Sequence, residues 1–93
     1  MSQSAADVKD ELRKVAESEG ARWATSSLAQ LAPQGRATGG WPGTLSEARM
    51  RIEAALAGRR ANAGGAFGEE LARLAYQAAR RHWQTHAARE QPA

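Results

Sequence analysis

Three stretches of the chain carry apolar residues at helical spacing, and two stretches rich in glycine separate them. In the first, Val8, Leu12, Val15 and Ala16 recur at intervals of three and four, with Lys9, Asp10, Glu11, Arg13, Lys14 and Glu17 filling the rest. That period puts the apolar group on one helix face and the charges in solvent. Ser4, three residues ahead of Asp7, is placed to cap the start, because a short side-chain oxygen accepts from the free N–H groups there. Gly20 interrupts, and Trp23, Leu28 and Leu31 do not extend the same stripe. The pattern predicts a helical region over about 5–32 with a bend or break near Gly20. Pro33 stops it.

Residues 33–43, PQGRATGGWPG, hold too many glycines and prolines for a regular element and predict a long loop. Thr44-Leu45-Ser46-Glu47 follows as a capping box, in which Thr44 accepts from the N–H three residues on and Glu47 reaches back to the N–H of Thr44. A helix over 44–57 then shows Leu45, Ala48, Ile52, Ala55 and Leu56 on one face, with Gly58 as its stop. In this setting Trp41-Pro42-Gly43 reads as the turn that delivers the chain to the cap, with Trp41 folded back as a lid on the core.

A second loop over 58–65 leads to a third helix over 66–86 and a frayed tail over 87–93. Glu69 and Glu70 fall in its expected first turn, where the helix dipole favours acids. Phe67, Leu71, Leu74, Ala75 and Ala78 make one stripe of this helix, and Ala72, Tyr76, Ala79 and Trp83 make an adjoining one. Together they cover an arc of about 200°, twice what one core contact needs. A helix so apolar packs on two sides. In so short a chain the second side is expected to be another copy, giving a homo-oligomer through Phe67, Leu71, Ala72, Ala75, Tyr76, Ala79 and Trp83, with Trp41 as a loop anchor.

Composition sharpens this picture. Of 93 residues, 42% are hydrophobic, but most of these are alanine and few are large. Isoleucine and valine are scarce, and no strand-like alternation occurs. The expectation is therefore an all-α single domain, a small helical bundle completed by homo-oligomerisation. There is no cysteine, so neither a disulfide nor a thiolate metal site can staple it. No apolar run approaches the ~18 residues of a membrane span and no secretory signal layout opens the chain, so a cytoplasmic protein with no membrane partner is expected.

The net charge is +3, and arginine dominates the basic residues. Residues 33–93 carry the positive excess. Arg49, Arg51, Arg59, Arg60, Arg73, Arg80 and Arg81, with Gln77 and Gln84 between the last three, are the side chains that helices use on phosphates and base edges. The loop of about eight residues before the third helix is longer than the three or four of a helix-turn-helix.

Catalytic templates find little. No GxSxG, P-loop or GxGxxG occurs, and the only histidines, His82 and His86, lie near the C-terminal end. His82, His86 and Glu90 follow at intervals of four along one helix face, but at the end of the chain and without an evident supporting shell. No cofactor or metal is expected, and no enzyme.

Trp41-Pro42-Gly43, in a turn between helices in a chain of this length, resembles the W-x-G signature of the WXG100 family of small secreted helical dimers. The resemblance covers three residues and implies a two-helix hairpin. Gly58 and Gly64-Gly65 interrupt what that family has as one long second helix, and Tyr76 is followed four residues on by Arg80 where an acid is the family signal. The function expected from the residues is non-enzymatic: homo-oligomerisation and recognition of a protein partner, with nucleic-acid binding through the arginines as the alternative.

Overall fold

The computed structural model of the protein describes residues 5–31, 40–58 and 65–90. They form three helices: α1 (Ala5–Leu31), α2 (Leu45–Gly58) and α3 (Gly65–Glu90). The all-α class follows from the residues as argued above. The caps expected at Ser4, the loop segments 32–39 and 59–64, and residues 91–93 lie outside the described residues.

Layers of the core fix the topology. Ala16 packs with Ile52, Leu56, Leu71 and Ala75, and Leu12 and Phe67 border that group. The next layer holds Trp23, Ala24, Ala48, Ala72 and Ala79. Leu28 and Trp83 make the last, under Trp41. Residue numbers rise together along α1 and α3 through these layers and fall along α2. The bundle therefore runs up, down, up, with α1 and α3 parallel and α2 antiparallel to both. It is elongated, 52 × 22 × 20 Å, with a radius of gyration of 14.8 Å against about 12 Å for a compact chain of this size.

α1 is unbroken through Gly20, so the break expected there does not occur. Gly20 is buried at the crossing with α3. A Cβ there would overlap the Ala75 carbonyl oxygen and stand 2.9 Å from the carbonyl carbon. Ala16, Gly20 and Ala24 face Ala72, Ala75 and Ala79, so the two backbones approach where bulky side chains would hold them apart. Scarcity of large residues is thus the condition of this packing, since helix separation is set by the side chains at the contact. Trp23 and Leu28 continue the same buried line once Gly20 is counted as part of it.

α2 begins as expected. The Glu47 N–H donates to Thr44 Oγ1 at 3.1 Å, the Thr44 N–H donates to Glu47 Oε1 at 3.2 Å, and the Ala48 N–H reaches the Thr44 carbonyl at 3.0 Å. Ala48, Ile52 and Leu56 are its buried face. α3 departs from expectation at both ends. It starts at Gly65, whose φ of 63° suits glycine, so Glu69 and Glu70 stand beyond the first turn. It also continues to Glu90, through part of the segment expected to fray.

Trp41 is the lid. Its ring meets Trp23 edge-on at 4.8 Å and 80°, and Trp83 at 5.5 Å and 60°, the geometry that aromatic quadrupoles favour. Gly43 lets the chain pass: a Cβ there would lie 2.5 Å from Trp41 Cζ2 and 2.6 Å from Trp23 Cζ2. The Trp41 indole N–H is buried with no hydrogen-bond partner among the described residues.

Candidate functional site

The apolar arc of α3 is filled from within the chain. Leu71, Ala72, Ala75, Ala79 and Trp83 are all buried, and Phe67 and Tyr76 are half-buried against the same layers. The arc does pack on two sides, but those sides are α1 and α2. The width of the arc is therefore no ground for a second copy, which corrects the reason given for these residues as an oligomer interface. Trp41, the eighth of that set, is half-buried and faces inward on Trp23 and Trp83. Among the described residues the large apolar side chains left exposed are Val8, Leu45 and Met50.

The arginines divide into two groups. Arg13 on α1 reaches Glu70 on α3 at 2.6 Å, and Asp10 at 2.8 Å; hydrogen bonding to Glu70 is the main cause that raises its pKa above the ordinary arginine value. Arg49 on α2 lies 3.7 Å from Glu69 on α3 and 3.6 Å from Glu53. Arg51 on α2 lies 3.6 Å from Glu19 on α1, with its guanidinium 5.2 Å from the Trp23 ring centre. One arginine–glutamate pair thus spans each pair of helices. Arg49 and Arg51, expected in a nucleic-acid face, are committed to these bridges, and Glu69 and Glu70 serve them where a dipole role was expected. Exposed pairs of this kind stabilise little, typically ~0.2–1 kcal/mol, but they occupy the guanidinium groups.

Arg73, Arg80 and Arg81 differ. All three are exposed on α3, as are Gln77 and Gln84, and none makes an ion pair among the described residues. At about 100° per residue, positions 73, 77, 80 and 84 align within a narrow stripe opposite the core, and 81 flanks it. From Leu71 to Arg89 α3 has no acidic residue, and α1 has none from Gly20 to Leu31. Because α1 and α3 are parallel, these acid-free halves lie at the same end of the bundle. Both helices end there, and their negative dipole ends favour basic residues nearby. Arg59 and Arg60 lie outside the described residues.

Of the histidines, His82 reaches across to α1. The Thr25 hydroxyl lies 2.9 Å from the Ala21 carbonyl, an acceptor for it. The same oxygen lies 3.1 Å from His82 Nε2, within hydrogen-bond distance. His82 is thereby a link from α3 to α1. Among the described residues no group of three metal-binding side chains converges, and the Glu90 side chain falls outside them.

Two of the surface grooves among the described residues lie between helices. The larger, about 620 Å³, lies where α1 and α2 diverge, bordered by Glu11, Lys14, Val15, Glu19, Ala55 and Gly58. A smaller one of about 200 Å³ lies between α2 and α3 beside Arg49, Glu69 and Arg73. Both are open, and neither holds a histidine or an orphaned buried polar group.

Three helices, with α2 and α3 antiparallel, are not the two-helix hairpin that the W-x-G resemblance implied. Among the described residues no helix is long and apolar enough to cross a membrane. No family model matches the chain, and no curated protein and no solved structure matches it significantly.

Proposed function

We propose that this protein is a non-enzymatic recognition module whose working surface is the outer face of α3 and whose partner presents an anionic surface. The observation that carries the reading is the division of the arginines. Arg13, Arg49 and Arg51 are held by carboxylates, whereas Arg73, Arg80 and Arg81 are exposed and make no ion pair among the described residues, with Glu69 and Glu70 one turn ahead of Arg73. An arginine fork without an internal acceptor is available to an external carboxylate or phosphate. Self-association through the α3 arc loses its support, since α1 and α2 occupy both flanks.

Retention on an immobilised polyanion such as heparin tests this. Wild type should be retained at physiological salt, and the triple variant Arg73→Ala/Arg80→Ala/Arg81→Ala should elute at clearly lower salt. A control that loses the same charge elsewhere, Lys9→Ala/Lys14→Ala/Arg22→Ala, should elute near wild type. Equal shifts for the two variants would mean net charge alone is being read, and the face assignment would fall.

A further inference from the structure

We infer that the partner of the α3 face is double-stranded DNA, held by phosphate contacts from Arg73, Arg80 and Arg81 with α3 lying in the major groove. This rests on the reading that the α3 face binds an anionic partner, and it names that partner. Three observations carry it.

The exposed stripe is wholly polar: Arg73, Gln77, Arg80, Arg81 and Gln84. A specific protein interface has a desolvated centre of aromatic or aliphatic side chains inside a polar rim. This face offers a rim without a centre, because the aromatic residues of α3 are turned into the bundle. Charge and hydrogen bonding alone suffice for a nucleic acid, where most contacts go to phosphate and glutamine and arginine read base edges.

Spacing agrees with the same occupant. Arg73 and Arg80 are two helical turns apart, about 10.5 Å along the axis at ~1.5 Å per residue. The major groove of B-form DNA is about 12 Å wide and admits one α-helix. Arg73, Gln77 and Arg80 point the same way and so face the groove together, with Arg81 to one side of them. α3 is also unobstructed on that side, since α1 and α2 both pack on the opposite face. No acid lies between residues 71 and 89, so like-charge repulsion with a phosphate wall is absent around Arg80 and Arg81 and confined to Glu69 and Glu70 at the Arg73 end.

Anisotropy titration of a labelled 20-base-pair DNA duplex tests the inference, with poly-glutamate and duplex RNA of the same length as competitors. Three phosphate contacts predict a log–log salt slope near −2.7, or about 40-fold weaker binding between ~50 and ~200 mM salt. Each of Arg73→Ala, Arg80→Ala and Arg81→Ala should flatten that slope by about one unit. Alanine at an exposed helix position favours the helix, so these variants fold, and an unchanged circular dichroism spectrum verifies it. Duplex RNA should compete at least tenfold less well, because its major groove is too deep and narrow for a helix. If poly-glutamate competes as well as DNA, the anionic-partner reading stands and DNA falls. Equal competition by duplex RNA overturns groove docking. Should neither DNA nor poly-glutamate bind, both readings fall together.

Discussion

Single residues decide whether this bundle closes. At an exposed helix position, replacing glycine by alanine gains roughly 1 kcal/mol of helix propensity. At position 20 the added methyl would overlap the Ala75 backbone, where nothing flexible can yield. Gly20→Ala should therefore lower stability by about 1–3 kcal/mol, the usual cost of overpacking, and the sign of the change in denaturation midpoint decides the matter. Thr44→Ala should cost about 1 kcal/mol through the lost cap, read from the midpoint of urea unfolding. The lid gives a paired prediction. Trp41→Ala removes two edge-to-face contacts and should cost about 2–3 kcal/mol, below the ~3–5 of a fully buried aromatic. Trp41→Phe keeps a ring and removes the buried N–H that has no partner among the described residues, an orphan costing ~1–3 kcal/mol. It should unfold within about 1 kcal/mol of wild type. Of these positions, Thr44 was legible in the sequence because a capping box is local, a matter of four consecutive residues. Gly20 was not. Read along the chain it is a helix breaker; only the crossing with Ala75, 55 residues away, makes its missing side chain a requirement.

Among the elements, α3 is the one on which the other two lean. α1 packs along its length, and α2 contributes Ala48, Ile52 and Leu56 to its other flank. α2 and α1 meet less, and the groove of about 620 Å³ opens between them. Local opening is cheapest where few apolar contacts must break. Amides from Leu71 to Trp83 should therefore exchange slowest in native-state hydrogen exchange, and those of α2 should exchange faster. Slower exchange in α2 than in α3 would contradict this arrangement. The double-sided nature of α3 was visible in its sequence as an arc of apolar positions, and so was the need for two partners. Which partners could not be read there. Periodicity reports how much of a helix is covered and is silent on whether the cover comes from the same chain. The same limit applies to Arg49 and Arg51, whose positions on a helix surface looked like those of Arg73 and Arg80 until Glu19 and Glu69 were seen beside them.

At the scale of the whole molecule, the apolar arc is enclosed and the exposed large apolar residues are scattered at Val8, Leu45 and Met50. Isolated exposed apolar residues are normal for a monomer. Sedimentation equilibrium should accordingly give a single species of the monomer mass, 9.9 kDa, up to high micromolar concentration. A dimer there would place an interface on a surface other than the α3 arc. An odd number of helices has another result. Because α1 and α3 point the same way, the described chain enters at one pole and leaves at the other, and the longest dimension is 52 Å. Ala5 and Glu90 therefore stand at opposite poles of the bundle. A hairpin or a four-helix bundle would return both to one side. This one acts as a spacer: probes attached at Ala5 and Glu90 are held apart, and a pull between those two residues is borne along the helix axes.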